Sequence, residues 1–186
     1  MTITLSHPLC VLGCIDTLEG REIAGEMLCW LKWYYDVHEV WHDGTLYEQP
    51  ALRYAQDLSK LTGQPVLYLH TKGACNHVHR SRLIRKLWRR EFVRNMGRYG
   101  NAILGDAPAV ACPFTGADRF TRYNGFIANA AAWAAIPPIE PNADRAVFEW
   151  LWRDTPEVHL HGLIYDDITS ATLYKAHEYL KQNFGL

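Results

Sequence analysis

Short apolar runs alternate along this chain with longer stretches in which apolar residues return every third or fourth position. Leu9 to Ile15 is rich in Leu, Val, Ile and Cys and stops at Asp16-Thr17, which predicts a buried strand. Ile23, Met27, Trp30, Leu31 and Tyr34 follow at the spacing of one helical face, with Asp16 or Thr17 available as N-cap. Val37 to Trp41 is a second short β-rich run, closed by the turn-forming His42-Asp43-Gly44-Thr45. Pro50 suits a first helical turn; Ala51, Tyr54, Ala55, Leu58 and Leu61 then predict one apolar face, and Gly63 a stop. Val66 to Leu69 is continuously apolar, as in a strand covered on both sides.

A basic helix is predicted from about Val78 to Arg98, with Leu83, Ile84, Leu87, Trp88, Phe92 and Met96 inside, and a fourth strand over Ala109 to Cys112. Thr115 to Asn124 has loop composition. Ala128 to Ala135 is alanine-rich with no obvious cap, and Pro137-Pro138 ends it. A short helix near Asp144 to Trp152, a strand near Val158 to Ile164 and a last helix from about Ala171 to Asn183 complete the reading. Strand-helix alternation of this kind predicts an α/β domain with a mainly parallel central sheet flanked by helices. Length agrees: 186 residues, 48% hydrophobic and 21% charged, fit one globular domain over residues 1–186 and exclude a low-complexity chain.

Three further features narrow the class. No apolar run approaches the roughly 20 residues of a membrane span, and Met1 to Cys14 has no basic leader, so a soluble, cytoplasmic protein is expected. Five scattered cysteines fit a reducing compartment better than a disulfide framework, with Cys10 and Cys14 as buried thiols. Net charge is −1, yet between Lys72 and Arg98 nine basic residues face the single acid Glu91, so one face is locally positive. That segment leaves nucleic-acid binding as a weaker alternative.

In open α/β sheets ligands bind beyond the carboxyl ends of the strands, which draws attention to Asp16, Asp43 and His70-Thr71-Lys72-Gly73. An aspartate at the second strand's end can accept hydrogen bonds from a ribose or a base; the alternative is an Asp-Gly turn. A hydroxyl, an ammonium and a glycine at a helix entrance suit phosphate, and Arg80, Arg82 and Arg85 could neutralise a diphosphate; a solvated basic face is the other reading. Histidines fall in two pairs, His77/His79 and His159/His161; on a strand the second pair would point to one face and could share a metal, but a half-buried strand with hydrogen-bonded histidines explains it better. Glu149, with Arg145 and Arg153 four residues to either side, has the spacing of surface ion pairs. Trp30, Trp88 and Trp152 sit at core spacing.

Val66-Leu67-Tyr68-Leu69-His70-Thr71-Lys72-Gly73, followed by a helix carrying Trp88-Arg89, resembles bacterial glycosyltransferase-like proteins of surface-polysaccharide synthesis, which carry a Leu-Tyr-Leu-His-Thr-Lys-Gly signature. Arg119 to Phe126 is similar to their aromatic-Gly-Asn-Phe segment, with Asn124-Gly125 in reversed order. Asp144-Arg145 with Glu149-Trp150 is similar to their Arg-x3-Glu-Trp helix. The resemblance implies a GT-A-type fold and transfer of a sugar from a nucleotide-diphospho-sugar donor to a hydroxyl acceptor. By it Asp43 contacts the nucleotide, Thr71 and Lys72 lie near the diphosphate and Glu149 is the base that activates the acceptor; Asp16, His70, Gly73, Arg80, Arg82, Arg85 and Asn124 complete the expected nucleotide-sugar site. GT-A enzymes usually show Asp-x-Asp for a divalent metal, manganese or magnesium, where this chain has Cys112-Pro113-Phe114. A non-catalytic nucleotide- or partner-binding module on the same fold is the alternative.

Overall fold

The computed structural model describes residues 7–71, 78–115, 119, 121, 124–140, 151–165, 178 and 182. Strand β1 (Leu9–Ile15) leads into helix α1 (Leu18–Leu31), whose N-cap Thr17 accepts from Gly20 N at 3.0 Å. Strand β2 (Asp36–His42), helix α2 (Gln49–Thr62) and strand β3 (Val66–His70) follow. Gly63 takes a left-handed backbone, φ 67°, which an L side chain resists, and so ends α2 where the sequence predicts.

The basic segment is not one regular helix. Helix α3 (Val78–Arg89) runs into a π turn (Arg90–Arg94) and then α4 (Met96–Ala102). The wide turn is closed by Asn95 N donating to Arg90 O, and the Tyr35 hydroxyl donates to the Phe92 carbonyl inside it. The extra residue re-aims the chain, so that Tyr99 is buried and Met96 only half-buried. Glu91, the one acid of the segment, is buried but matched by the Asn95 amide and the Tyr99 hydroxyl, all at 3.2 Å.

Strand β4 (Ala109–Phe114), a three-residue strand β5 (Phe126–Ala128), helix α5 (Ala130–Ala135) and strand β6 (His159–Tyr165) complete the described elements. The sequence pattern does not predict β5, nor the cap of α5. Asn129 supplies that cap: its Oδ1 accepts from Ala132 N and Ala109 N, and its Nδ2 donates to Ala107 O at 2.7 Å. The predicted helix near Asp144 to Trp152 falls largely, and the one from Ala171 to Asn183 almost wholly, outside the described residues.

The sheet is six-stranded and mixed, in the order β2-β1-β3-β5-β4-β6. β1 pairs in parallel with β2 and β3, and β4 with β6, while β5 runs antiparallel to both its neighbours. Alternate strand residues face opposite ways and build two cores. Cys10, Leu12, Leu67 and Leu69 meet α1, α3 and α4 on one face; Val11, Val66, Tyr68 and Phe126 meet α2 and α5 on the other. Helices thus cover both faces of a single α/β domain. Trp30, Trp88 and Trp152 are buried, as their spacing predicts.

The face of α2 is rotated from the predicted one. Ala51, Leu52, Ala55, Gln56 and Ser59 are buried, whereas Leu61 is exposed. Gln56 explains the rotation: its Nε2 donates to the carbonyls of Trp133, Ile136 and Pro137, and its Oε1 accepts from Ile139 N at 3.1 Å. A polar side chain can occupy the core here because both ends of its amide are used.

Candidate functional site

Chain direction reverses around β1. The β1-α1-β2 connection moves to one side of β1, and β2-α2-β3 crosses back to the other, with α1 and α2 on opposite faces. The carboxyl ends of β2 and β1 therefore flank a topological switch point, where the two following helices, α2 and α1, leave for opposite faces and open a crevice. The rim is held by main-chain bonds. Asp16 N donates to His42 O at 2.7 Å, Thr71 N to Gly13 O at 2.9 Å, and Ile15 N to the Thr71 hydroxyl oxygen at 3.1 Å.

On this rim Asp43 is exposed. Its Oδ1 accepts from the amide and the hydroxyl of Thr45, at 2.9 and 2.7 Å, and these bonds hold its carboxyl below the usual carboxylate range. Burial lowers the pKa of neighbouring His42, and its Nδ1 accepts from Gly44 N at 3.2 Å, which suits a neutral ring. Asp16 is also exposed and pairs with Arg21 at 2.7 Å. Thr71 is buried, its hydroxyl tying β3 to β1.

Between β3 and β5 lies a cluster centred on a residue the sequence reading did not single out. Glu48, just before α2, receives His70 Nε2 on Oε1 at 3.3 Å and the Asn124 amide on Oε2 at 2.9 Å. His70 and Asn124 are buried, while the Glu48 side chain keeps about a fifth of its surface exposed. The cluster thus opens to solvent through its carboxylate. Trp88 meets the His70 ring edge-on at 5.4 Å, and Tyr68 lies beneath, its phenol pushed well up by burial first and the Glu48 charge second. Among the described residues the Asn124 Oδ1 and Trp88 Nε1 are buried without a hydrogen-bond partner, while the Tyr68 hydroxyl is engaged by the Glu48 carboxylate. These two atoms, beside a partly exposed carboxylate, fit a place where polar groups of a ligand or water enter. Gly125 admits the indole: a Cβ there would stand 2.2 Å from Trp88 Nε1.

The remaining candidates are placed as follows. Arg85 is buried and pairs with Glu26 of α1 at 3.0 Å, so it fastens α3 to α1. Arg82 is exposed near the start of α3. Arg80 belongs to the same helix, with its side chain outside the description, and Lys72, Gly73, His77 and Glu149 lie outside the described residues altogether. Arg119 donates to the carbonyls of Trp152, Thr155 and Val158 at 2.7 to 2.9 Å, joining the segment before β5 to the one before β6. On β6, His159 is exposed and His161 half-buried, its pKa lowered by burial and then by His159. Among the described residues no group of three or more His, Cys, Asp or Glu is arranged to hold a metal ion. On β4 the thiol of Cys112 is buried. Cys10 and Cys14 are buried thiols, as expected, and burial pushes Cys14 up to about 12.

Fold and rim together define an α/β domain with a polar crevice at a switch point. No protein-family model, curated protein or solved structure shows significant similarity to the chain.

Proposed function

We propose that the chain is a GT-A-like glycosyltransferase that binds a nucleotide-diphospho-sugar across this switch point and transfers the sugar to a hydroxyl acceptor. The observation that carries the reading is the rim itself: an exposed, ionised Asp43 on one side and the Glu48-His70-Asn124 cluster on the other, with the basic α3 following β3 in the chain. Asp43 accepts hydrogen bonds from ribose or base, with Asp16 beside it. Glu48, Asn124 and His70 contact sugar hydroxyls, which can donate to a carboxylate where a phosphate cannot. Lys72, Arg80 and Arg82 face the diphosphate, Gly73 lets the main chain approach it, and Arg85 and Thr71 hold the frame.

In the transfer step Glu149 takes the proton of the acceptor hydroxyl as its oxygen bonds to the anomeric carbon. The bond from that carbon to the phosphate oxygen breaks, and the nucleoside diphosphate leaves with its added negative charge stabilised by the cations. No metal enters this scheme.

Thermal stability against nucleoside diphosphates and nucleotide sugars, with and without manganese, tests it. A ligand at 100 times its Kd adds about 2.7 kcal/mol, or about 5–10 °C at this chain length. A shift selective for one nucleotide and lost in Asp43→Asn supports the reading; a flat panel refutes it. A second reading, a binding module without turnover, draws on the engagement of Thr71, Asp16 and Arg85 with their own chain. Under it the nucleotide shift persists but no sugar is transferred, and Glu149→Gln changes neither.

A further inference from the structure

On the opposite edge of the sheet, where the parallel strands begin, the chain exposes large apolar side chains beside cations. Trp33 is 78% exposed and Tyr34 43% exposed, both in the bend between α1 and β2; Leu104, which follows α4, is 75% exposed. These segments adjoin. The Tyr35 hydroxyl fastens the bend to the π turn at the Phe92 carbonyl, and Tyr35, Phe92, Tyr99 and Ile103 share one core cluster. Along the same layer Lys86, Arg89 and Arg94 are exposed, and no carboxylate pairs with them among the described residues. The acids nearby are few: Glu39 is paired with Lys32 at 3.0 Å, Glu91 is buried, and Asp36 and Asp106 are exposed.

We propose that this edge is a docking surface for an anionic lipid bilayer. An indole, a phenol and an isobutyl group standing in water beside unpaired arginines match the boundary of a membrane, where aromatic rings sit at headgroup depth and cations meet lipid phosphates. Nucleic acid fits less well, because its phosphates and bases offer Leu104 nothing apolar to enter. Docking here turns the carboxyl edge of the strands, and the Glu48 crevice with it, away from the bilayer. The surface shares no residue with the crevice, so the two proposals stand or fall separately.

Flotation of the whole chain with phosphatidylcholine vesicles, with and without phosphatidylglycerol, tests the proposal. Binding is expected to the anionic vesicles only, and to weaken as salt rises. Each cation near the surface contributes about fivefold, so Arg89→Ser with Arg94→Ser should lower the partition coefficient about 25-fold. Trp33→Ser with Leu104→Ser should lower it several-fold, with thermal stability near wild type because both side chains already face water. Equal binding to neutral vesicles overturns the proposal, as does no binding to anionic ones at low salt. So does an apolar double variant that binds like wild type, or tighter binding to short RNA or DNA than to vesicles. The wild-type comparison of the two vesicle types decides without either variant.

Discussion

Replacing Glu48 with Ala probes the crevice through stability as well as through ligand binding. The substitution removes the acceptor of the Asn124 amide, a 2.9 Å charge-assisted bond to a residue only 7% exposed, and the 3.3 Å partner of His70. Stranding a buried donor that was bonded to a charge costs about 1.5–3 kcal/mol. With a chain of 186 residues, a loss near 2 kcal/mol lowers Tm by about 4–8 °C. Asn124→Ala should cost less, because it also removes the Oδ1 that has no partner. Urea unfolding of both single variants and the double variant, followed by tryptophan fluorescence, gives the coupling directly. The double variant should cost about 1–2 kcal/mol less than the sum of the two single costs, as for a contacting pair. Additivity within about 0.3–0.5 kcal/mol would refute the cluster as a unit. Glu48→Gln keeps an acceptor oxygen and should fall between wild type and Glu48→Ala.

Gln56→Leu preserves volume but strands three carbonyls and the Ile139 amide, so it should cost about 3 kcal/mol or more by chemical denaturation; a loss below about 1 kcal/mol contradicts the account of α2's rotated face. His42 and His161 have folded-state pKa values below the ordinary 6.5, so the unfolded chain binds more protons as pH falls. Their contribution is full above 6.5 and is lost as pH drops from there toward the folded-state values; Tm between pH 8 and pH 5 should decline, and His42→Gln with His161→Gln should flatten that decline. Gly125→Ala drives a methyl into the Trp88 indole, 2.2 Å from Nε1, at a cost of about 1–3 kcal/mol; wild-type stability in that variant would show that Trp88 does not lean on Gly125 as described.

The strands and helices that could be read from the sequence are those whose burial is set locally. β1 and β3 are short apolar runs, and Gly63 closes α2 by its own backbone freedom. What escaped depends on distant partners. Three residues of β5 are too few to show alternation, and they are a strand because Tyr68, Leu67 and Val66 lie opposite on one side and Val110 and Ala111 on the other. Gln56 reads as a surface residue until α5 presents its carbonyls, and the π turn has no sequence mark beyond the Tyr35 hydroxyl that meets it from far along the chain. The same holds at the crevice. His70 was legible as a polar residue at a strand end and Asn124 only through the family resemblance, but Glu48, which joins them, looks in sequence like an ordinary acid ahead of a helix proline. Its position just past the end of a strand was the available clue.

β5 also sets an order of assembly. Among the described residues the ladder β2-β1-β3 and the pair β4-β6 share no backbone hydrogen bond and are joined within the sheet through Phe126–Ala128. As the chain leaves the ribosome, the first ladder is complete in sequence by His70, long before the strand that will seal it has been made. Its free β3 edge, Val66 to Leu69, must wait while α3, the π turn, α4 and β4 are made before β5 arrives and closes the sheet. The crevice is assembled at that same moment, because Asn124 reaches Glu48 only when β5 is seated.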